Sequence, residues 1–135
     1  AGNLNDTLKN VCINGIDVYF ENVGGEVSKA IAPLLNKGSR VPICGFISQY
    51  NAEDMLKVET PFHVFGKVKP KPEHRFFVVT EWMNEWESAT SEILKLVQED
   101  KIKFKETITK GFENAPQALR DVLSGKNFGK QIIEI

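Results

Sequence analysis

Cysteine is scarce: Cys12 and Cys44 are the only two in 135 residues, far apart and in no C-x-x-C arrangement. That argues against a disulfide framework and against a structural zinc site within this stretch, and it fits a reducing cytoplasm. Histidine is equally sparse. His63 and His74 lack Cys or carboxylate partners at metal-ligand spacing, so they read as solvated loop residues and no metal is expected. No apolar run approaches the roughly 20 residues of a membrane span, and the first residues lack the blocks of a secretion signal. An excess of either charge is missing too. The formal net charge of −1 provides no long-range field, so neither nucleic acid nor a membrane is expected as a partner. An initiator Met is also absent. The opening Ala1-Gly2-Asn3-Leu4 reads as a chain entered partway, so a boundary within a longer protein is expected.

What is present is enough apolar material, 41% of residues, for one ordinary core. Leu4, Leu8 and Val11 at helical spacing predict a short first helix after an Asn5 or Asp6 cap. The run Ile16 to Val23 predicts a strand that stops at Gly24-Gly25. Val27, Ala30, Ile31, Leu34 and Leu35 mark a helix loosened at Pro33 and stopped by Gly38, and Arg40 to Gly45 forms the next strand. From Ala52 to Glu73 no clean period exists. Pro61, Pro70, Pro72 and the cluster Lys67, Lys69, Lys71 make this stretch mostly solvated loop with a short helical turn. Arg75 to Thr80 reads as a third strand, and Trp82, Trp86, Ala89, Ile93 and Leu96 predict a long amphipathic helix ending near Asp100. The tail holds a strand at Phe104 to Thr109 and a helix capped by Asn114, with Pro116 in its first turn and Gln117 at the capping-box position. Gly125 stops that helix, and Lys130 to Ile135 closes as a strand.

Strands alternating with helices indicate the α/β class, a parallel sheet covered on both faces. With only three such strands it is a partial doubly wound sheet lacking its first βαβ half, followed by a strand-helix-strand segment. The boundary is placed between residues 1–100 and 101–135. A G-x-G-x-x-G turn is lacking, the only adjacent glycines being Gly24-Gly25.

In open α/β sheets ligands bind beyond the carboxyl ends of strands, which singles out three sets. Asn22-Val23-Gly24-Gly25 pairs an amide side chain with glycines, either an ordinary turn or a close approach to a flat ligand. Cys44-Gly45-Phe46-Ile47-Ser48-Gln49-Tyr50 offers a thiol, a glycine, a hydroxyl and a phenol. Cys44 reads there as a small hydrophobe rather than a nucleophile, and Tyr50 as a surface anchor or a ligand group. Phe77-Val78-Val79-Thr80-Glu81-Trp82-Met83 could be core, subunit contact or ligand wall.

Taken together, Gly15 to Gly25, Leu34-Leu35-Asn36, Cys44 to Asn51, Lys110 to Pro116 and Gly125 to Lys130 resemble the medium-chain dehydrogenase/reductase superfamily. More narrowly they resemble its branch of prostaglandin reductases, leukotriene B4 dehydrogenases and NADPH-dependent curcumin and alkenal reductases. The resemblance spans nearly the whole chain. It implies a parent oxidoreductase with NADP(H) as cofactor and no zinc. Hydride transfer would reduce the C=C bond of an α,β-unsaturated ketone or aldehyde, with quinones as further substrates and a homodimer as the assembly. Residues 1–100 would be the second half of the dinucleotide-binding domain, and 101–135 would pack on a catalytic domain not included here. The glycine fingerprint and the basic residue selecting the 2′-phosphate would also lie outside, so the fragment alone is expected to be inactive. The implied cofactor contacts are Asn22, Gly24, Gly25, Cys44, Gly45, Phe46, Ile47, Ser48, Tyr50, Phe77, Val78, Val79 and Asn127. Asn22, Tyr50 and Asn127 would gather at the nicotinamide, with Tyr50 as the catalytic donor to the developing enolate oxygen. Phe76 stands where that branch usually has glycine. A small standalone nucleotide-binding or dimerisation module without catalysis is the alternative.

Overall fold

Asn3, rather than Asn5 or Asp6, starts the first helix: its side chain accepts the Asn5 N–H at 3.0 Å, capping α1 (Leu4–Val11) two residues before the earlier of the expected caps. The computed structural model describes residues 3–135, and its contacts divide it into one compact unit ending at Glu81 and another beginning at Trp82.

In the first unit, β1 (Ile16–Val18) leads to α2 (Gly25–Ile31), which tightens into a 3₁₀ turn at Ala32–Leu34, where Pro33 sits. The next strand, β2, begins at Leu35 and runs to Ile43, so Gly38 does not stop a helix. It lies inside a bulge. Ile16 pairs with Leu35 and Val18 with Arg40, two steps along β1 against five along β2, and Asn36 pins the excess by donating to Asn14 O and Asp17 Oδ1. Within the stretch expected as mostly loop with a short helical turn, residues 61–66 form α3 (Pro61–Gly66), and β3 (Glu73–Phe76) follows.

The sheet is parallel in the order β1-β2-β3. The first strand is shorter than the apolar run Ile16 to Val23 suggests, because its partner carries Pro42. Pro42 O accepts the Glu21 N–H at 2.9 Å, so its ring nitrogen faces the same neighbour and has no hydrogen to give. The ladder lapses at residues 19 and 20 and resumes as a single bridge between Glu21 and Ile43.

Side chains alternate across β2, Val41 and Ile43 turning into a core closed by Ile31, Val64 and Phe65, with Leu8, Tyr19 and Val27 packed against it. All three helices therefore serve one face. Consecutive right-handed crossovers that advance in one direction put α2 and α3 on the same side. Within this unit the expected cover on both faces is not found. Val18 and Phe20 are half exposed on the other face, beside a concavity of about 280 Å³ lined by Val18, Arg40, Val41, Pro42, Glu73 and Arg75.

In the second unit, a 3₁₀ stretch over 79–85 that begins in the first unit gives way to α4 (Trp86–Gln98), shorter at its start than expected. β4 (Glu106–Lys110) and β5 (Lys130–Glu134) pair in parallel around α5 (Ala115–Leu123), which buries Ala118. Asn114 precedes α5 as expected, but its side chain bonds Lys110 O, and Gln117 bonds Asp121 and Arg120 instead of closing a capping box.

Truncating Phe65, which is fully buried, is expected to cost about 3–5 kcal/mol by urea denaturation. Leu56→Ala, at a side chain 97% exposed, should stay within about 0.5 kcal/mol. Equal losses would mean that α3 does not close the core.

Candidate functional site

A carboxylate that was read as part of a strand organises the first strand end. Glu21 is 0% exposed. Its Oε1 accepts the Val23 N–H at 2.8 Å, the Gly24 N–H at 2.9 Å and the Tyr19 hydroxyl at 3.2 Å, while Oε2 accepts the Ser28 hydroxyl. Four donors replace the water that the buried charge has lost. The turn that follows is thereby tied both to its own strand and to α2. Gly24 adopts φ +78°, and a methyl there would stand 2.7 Å from Phe46 Cβ, so both backbone and space require glycine.

The second strand end closes on the first through main-chain bonds. Cys44 and Gly45 N–H both donate to Glu21 O, Ile47 N–H to Asn22 O, and Ser48 N–H to Val23 O, at 2.9 to 3.2 Å. Ser48 Oγ adds a second bond to Val23 O at 2.6 Å. Gly45 is buried at the centre of this arrangement. A methyl on it would lie 2.6 Å from the Tyr50 hydroxyl and 3.9 Å from Asn22 Oδ1, so both expected polar side chains approach the same bare stretch of backbone.

Tyr50 Oη accepts the Phe46 N–H at 3.3 Å, which leaves its own hydrogen to donate, and the Phe46 ring meets it edge-on at 5.5 Å. The carboxamide of Asn22 is exposed and takes part in no hydrogen bond among the described residues. One recognises an oxygen; the other offers an amide donor and acceptor.

The remaining expected residues divide. Gly25 lies near Ser48 Oγ, and Cys44 and Ile47 are exposed. Phe77 donates its N–H to Ile43 O and packs edge-on against Phe20 at 5.6 Å, on the uncovered sheet face. Val78 and Val79 are exposed in a turn that Glu81 closes on itself by accepting the Val78 N–H at 2.9 Å and the Arg75 guanidinium at 2.8 Å. The Val78 bond first, and Arg75 after it, hold the Glu81 carboxyl below its ordinary value. Asn127 belongs to the second unit, where its side chain donates to Gly129 O. His63, expected as a free loop residue, accepts the Thr60 N–H at the start of α3. Among the described residues, no group of three or more His, Cys, Asp or Glu could hold a metal ion. None of their helices is long and apolar enough to cross a membrane.

Glu21 and Ser28 are what the sequence reading missed. The available signal was a carboxylate two and three residues ahead of turn amides it could accept, within an otherwise apolar run.

The family described as zinc-binding dehydrogenase matches residues 3–133. The NADPH-dependent curcumin reductase of Escherichia coli is 38% identical over all of this chain and 40% of its own length. Prostaglandin reductase 1 of Sus scrofa is 41% identical over 97% of this chain and 40% of its own. The crystal structure of CurA from Vibrio vulnificus in complex with NADPH superposes with a TM-score of 0.84 at 36% identity, covering 99% of this chain and 41% of that one. The chain thus spans about 40% of the length of the curated relatives it matches.

Burial first, then the charge and hydrogen bond of Glu21, push the Tyr19 phenol well above its ordinary value of 10.0. Folding therefore holds that proton more tightly than the unfolded chain does. The contribution is complete below about pH 10 and is lost as pH rises toward the folded value. Denaturation series from pH 9 to 12 should show stability falling above pH 10, and Tyr19→Phe should flatten that fall. An unchanged slope in the variant would remove Tyr19 as its source.

Proposed function

The chain belongs to the zinc-binding dehydrogenase family, and from that premise we propose that it forms the nicotinamide side of an NADP(H) site in an enone reductase. The reaction is reduction of the C=C bond of α,β-unsaturated ketones or aldehydes, or of quinones, by hydride transfer. The observation that carries this reading is the bare backbone at Gly45, approached by Tyr50 Oη and by Asn22 Oδ1.

The fit to a nicotinamide rests on the side chains that meet there. A ring bearing a carboxamide needs a partner offering both a donor and an acceptor, and the exposed Asn22 answers that need. When bound, the cofactor supplies the hydride. Asn22 would orient the ring through its carboxamide. Tyr50, its oxygen already accepting the Phe46 N–H, would donate to the substrate's carbonyl oxygen as negative charge gathers there. Phe46 packs edge-on against the phenol and steadies it. Gly24, Gly25 and the amide-zipped run Cys44 to Ser48 would form the wall, and Phe77 to Val79 complete the proposed contacts.

Support from relatives is direct in name: one is an NADPH-dependent curcumin reductase, and the CurA structure holds NADPH. Zinc independence rests on the resemblance to the enone-reductase branch, and a cytoplasmic setting on the free thiols. A homodimer finds support in β3, which ends the sheet order and so offers an edge to a second copy.

Calorimetric titration of the 135-residue chain with NADPH should reveal no submicromolar binding, and no enone reduction should be seen, because no glycine-rich pyrophosphate turn occurs in it. Submicromolar binding would overturn that. Grafted in place of the matching segment of the curcumin reductase, the chain should support NADPH oxidation with an enone. Tyr50→Phe in the graft should then lower kcat roughly 10- to 100-fold with little change in NADPH affinity. An unaltered kcat would exclude Tyr50 as the donor.

A further inference from the structure

We infer that Glu21 is the positioning residue of this site: one buried residue, touching neither ring nor substrate, sets the relation between Asn22 and Gly45 through its side chain on one side and its main chain on the other. The inference rests on the proposed nicotinamide site for its purpose, though not for its geometry.

The geometry joins two lips. Through its carboxylate, Glu21 fixes the turn that carries Asn22, accepting from Val23 and Gly24 at 2.8 and 2.9 Å, and anchors it to Tyr19 and to Ser28 on α2. Through its main-chain oxygen, the same residue accepts from Cys44 and Gly45 at 2.9 and 3.2 Å. Asn22 is next to it in sequence, and Gly45 is bonded to it across the sheet. Among the described residues, no other bonds both the turn amides and the Gly45 amide. A shift of Glu21 therefore moves both lips of the opening, whereas truncation of Val41 or Ile43 would act on the core behind it.

The charge has its own part. Ionised acceptors bind backbone N–H groups about twice as strongly as neutral ones, so the turn should sense the carboxylate itself and not merely a filled volume. Glu21→Gln keeps the shape and removes the charge. Glu21→Asp keeps the charge and falls one methylene short of Ser28, yet an Asp accepts the amides two and three residues ahead in an Asx turn.

The test is amide hydrogen exchange, followed by NMR, on the 135-residue chain and on Glu21→Gln, Glu21→Asp and Ser28→Ala. Exchange at Val23 and Gly24 should quicken at least tenfold in Glu21→Gln and return to within threefold of the parent in Glu21→Asp, while Val41 and Ile43 stay within twofold throughout. Acceleration that is equal at all four amides, or absent from all four, would overturn the inference. Should Glu21→Gln not fold, Glu21→Asp and Ser28→Ala carry the comparison. There, loosening of the Ser28 side without loosening of Val23 and Gly24 is the expected result, and uniform loosening the adverse one.

Titration with reduced nicotinamide mononucleotide at millimolar concentration supplies the second readout. Shifts at Asn22, Gly45 and Tyr50 are expected in the parent, at least fivefold weaker binding in Glu21→Gln, and recovery in Glu21→Asp. Binding that is identical in a Gln variant with a loosened turn would defeat the positioning role. Absence of any such shifts in the parent would defeat the nicotinamide reading, while the exchange ratios still decide what Glu21 holds.

Discussion

Removing a carboxylate from water costs several kcal/mol or more, and a folded chain tolerates it only where donors converge on both oxygens. At Glu21 the donors are two backbone amides of one turn, a phenol and a serine hydroxyl, and they lie on three different pieces of local structure. Satisfying that single charge requires the end of β1, the turn over 22–25 and the helix bearing Ser28 to adopt one mutual arrangement. A hydrogen bond to a charged group is typically worth about 1.5–3 kcal/mol, more than one between neutral partners. The turn therefore inherits its rigidity from the core side, which leaves the outward face of Asn22 without structural duties.

A second constraint comes from what Pro42 lacks. A proline within the middle strand of a sheet interrupts one ladder, and here the interruption falls between β1 and β2 at residues 19 and 20. Tyr19 can then turn its side chain into the core and reach Glu21, while the main chain of Tyr19 still donates to Arg40 O at 3.0 Å. The gap in the ladder and the carboxylate cluster are neighbours for a physical reason: main chain released from pairing can bend, and the bend brings the glutamate beneath its own following amides.

Legibility in the sequence followed the range of the forces involved. α1 and α5 were readable because their apolar spacing and flanking residues are local, and Gly125 does follow α5. α3 was not, since it is six residues long among prolines and its identity depends on burying Val64 and Phe65 against strands distant in sequence. The third strand was drawn too long because Val78 and Val79 look like strand residues, whereas Glu81 folds them into a turn. Gly38 looked like a helix stop and proved to sit in a bulge, a distinction made by pairing across the sheet rather than by neighbours in sequence. At the site, resemblance pointed to Asn22 and Tyr50. It gave no weight to Glu21, whose value arises only when burial makes its charge costly.

The two glycines at the opening separate what resemblance runs together. Gly24 is required by conformation, with its positive φ, as well as by Phe46 above it, so any side chain there strains the main chain itself. Gly45 has no such φ; it is required by space alone, and the nearest atom to an added methyl is the far end of a movable phenol. A fold concerned only with stability could fill that position by letting Tyr50 swing away. Glycine there is what lets the Tyr50 hydroxyl lie against the backbone beside Asn22 Oδ1. That is why, of the three strand ends, the one at Gly45 bears the functional reading, while the turn after β3, closed on itself by Glu81, bears less of it.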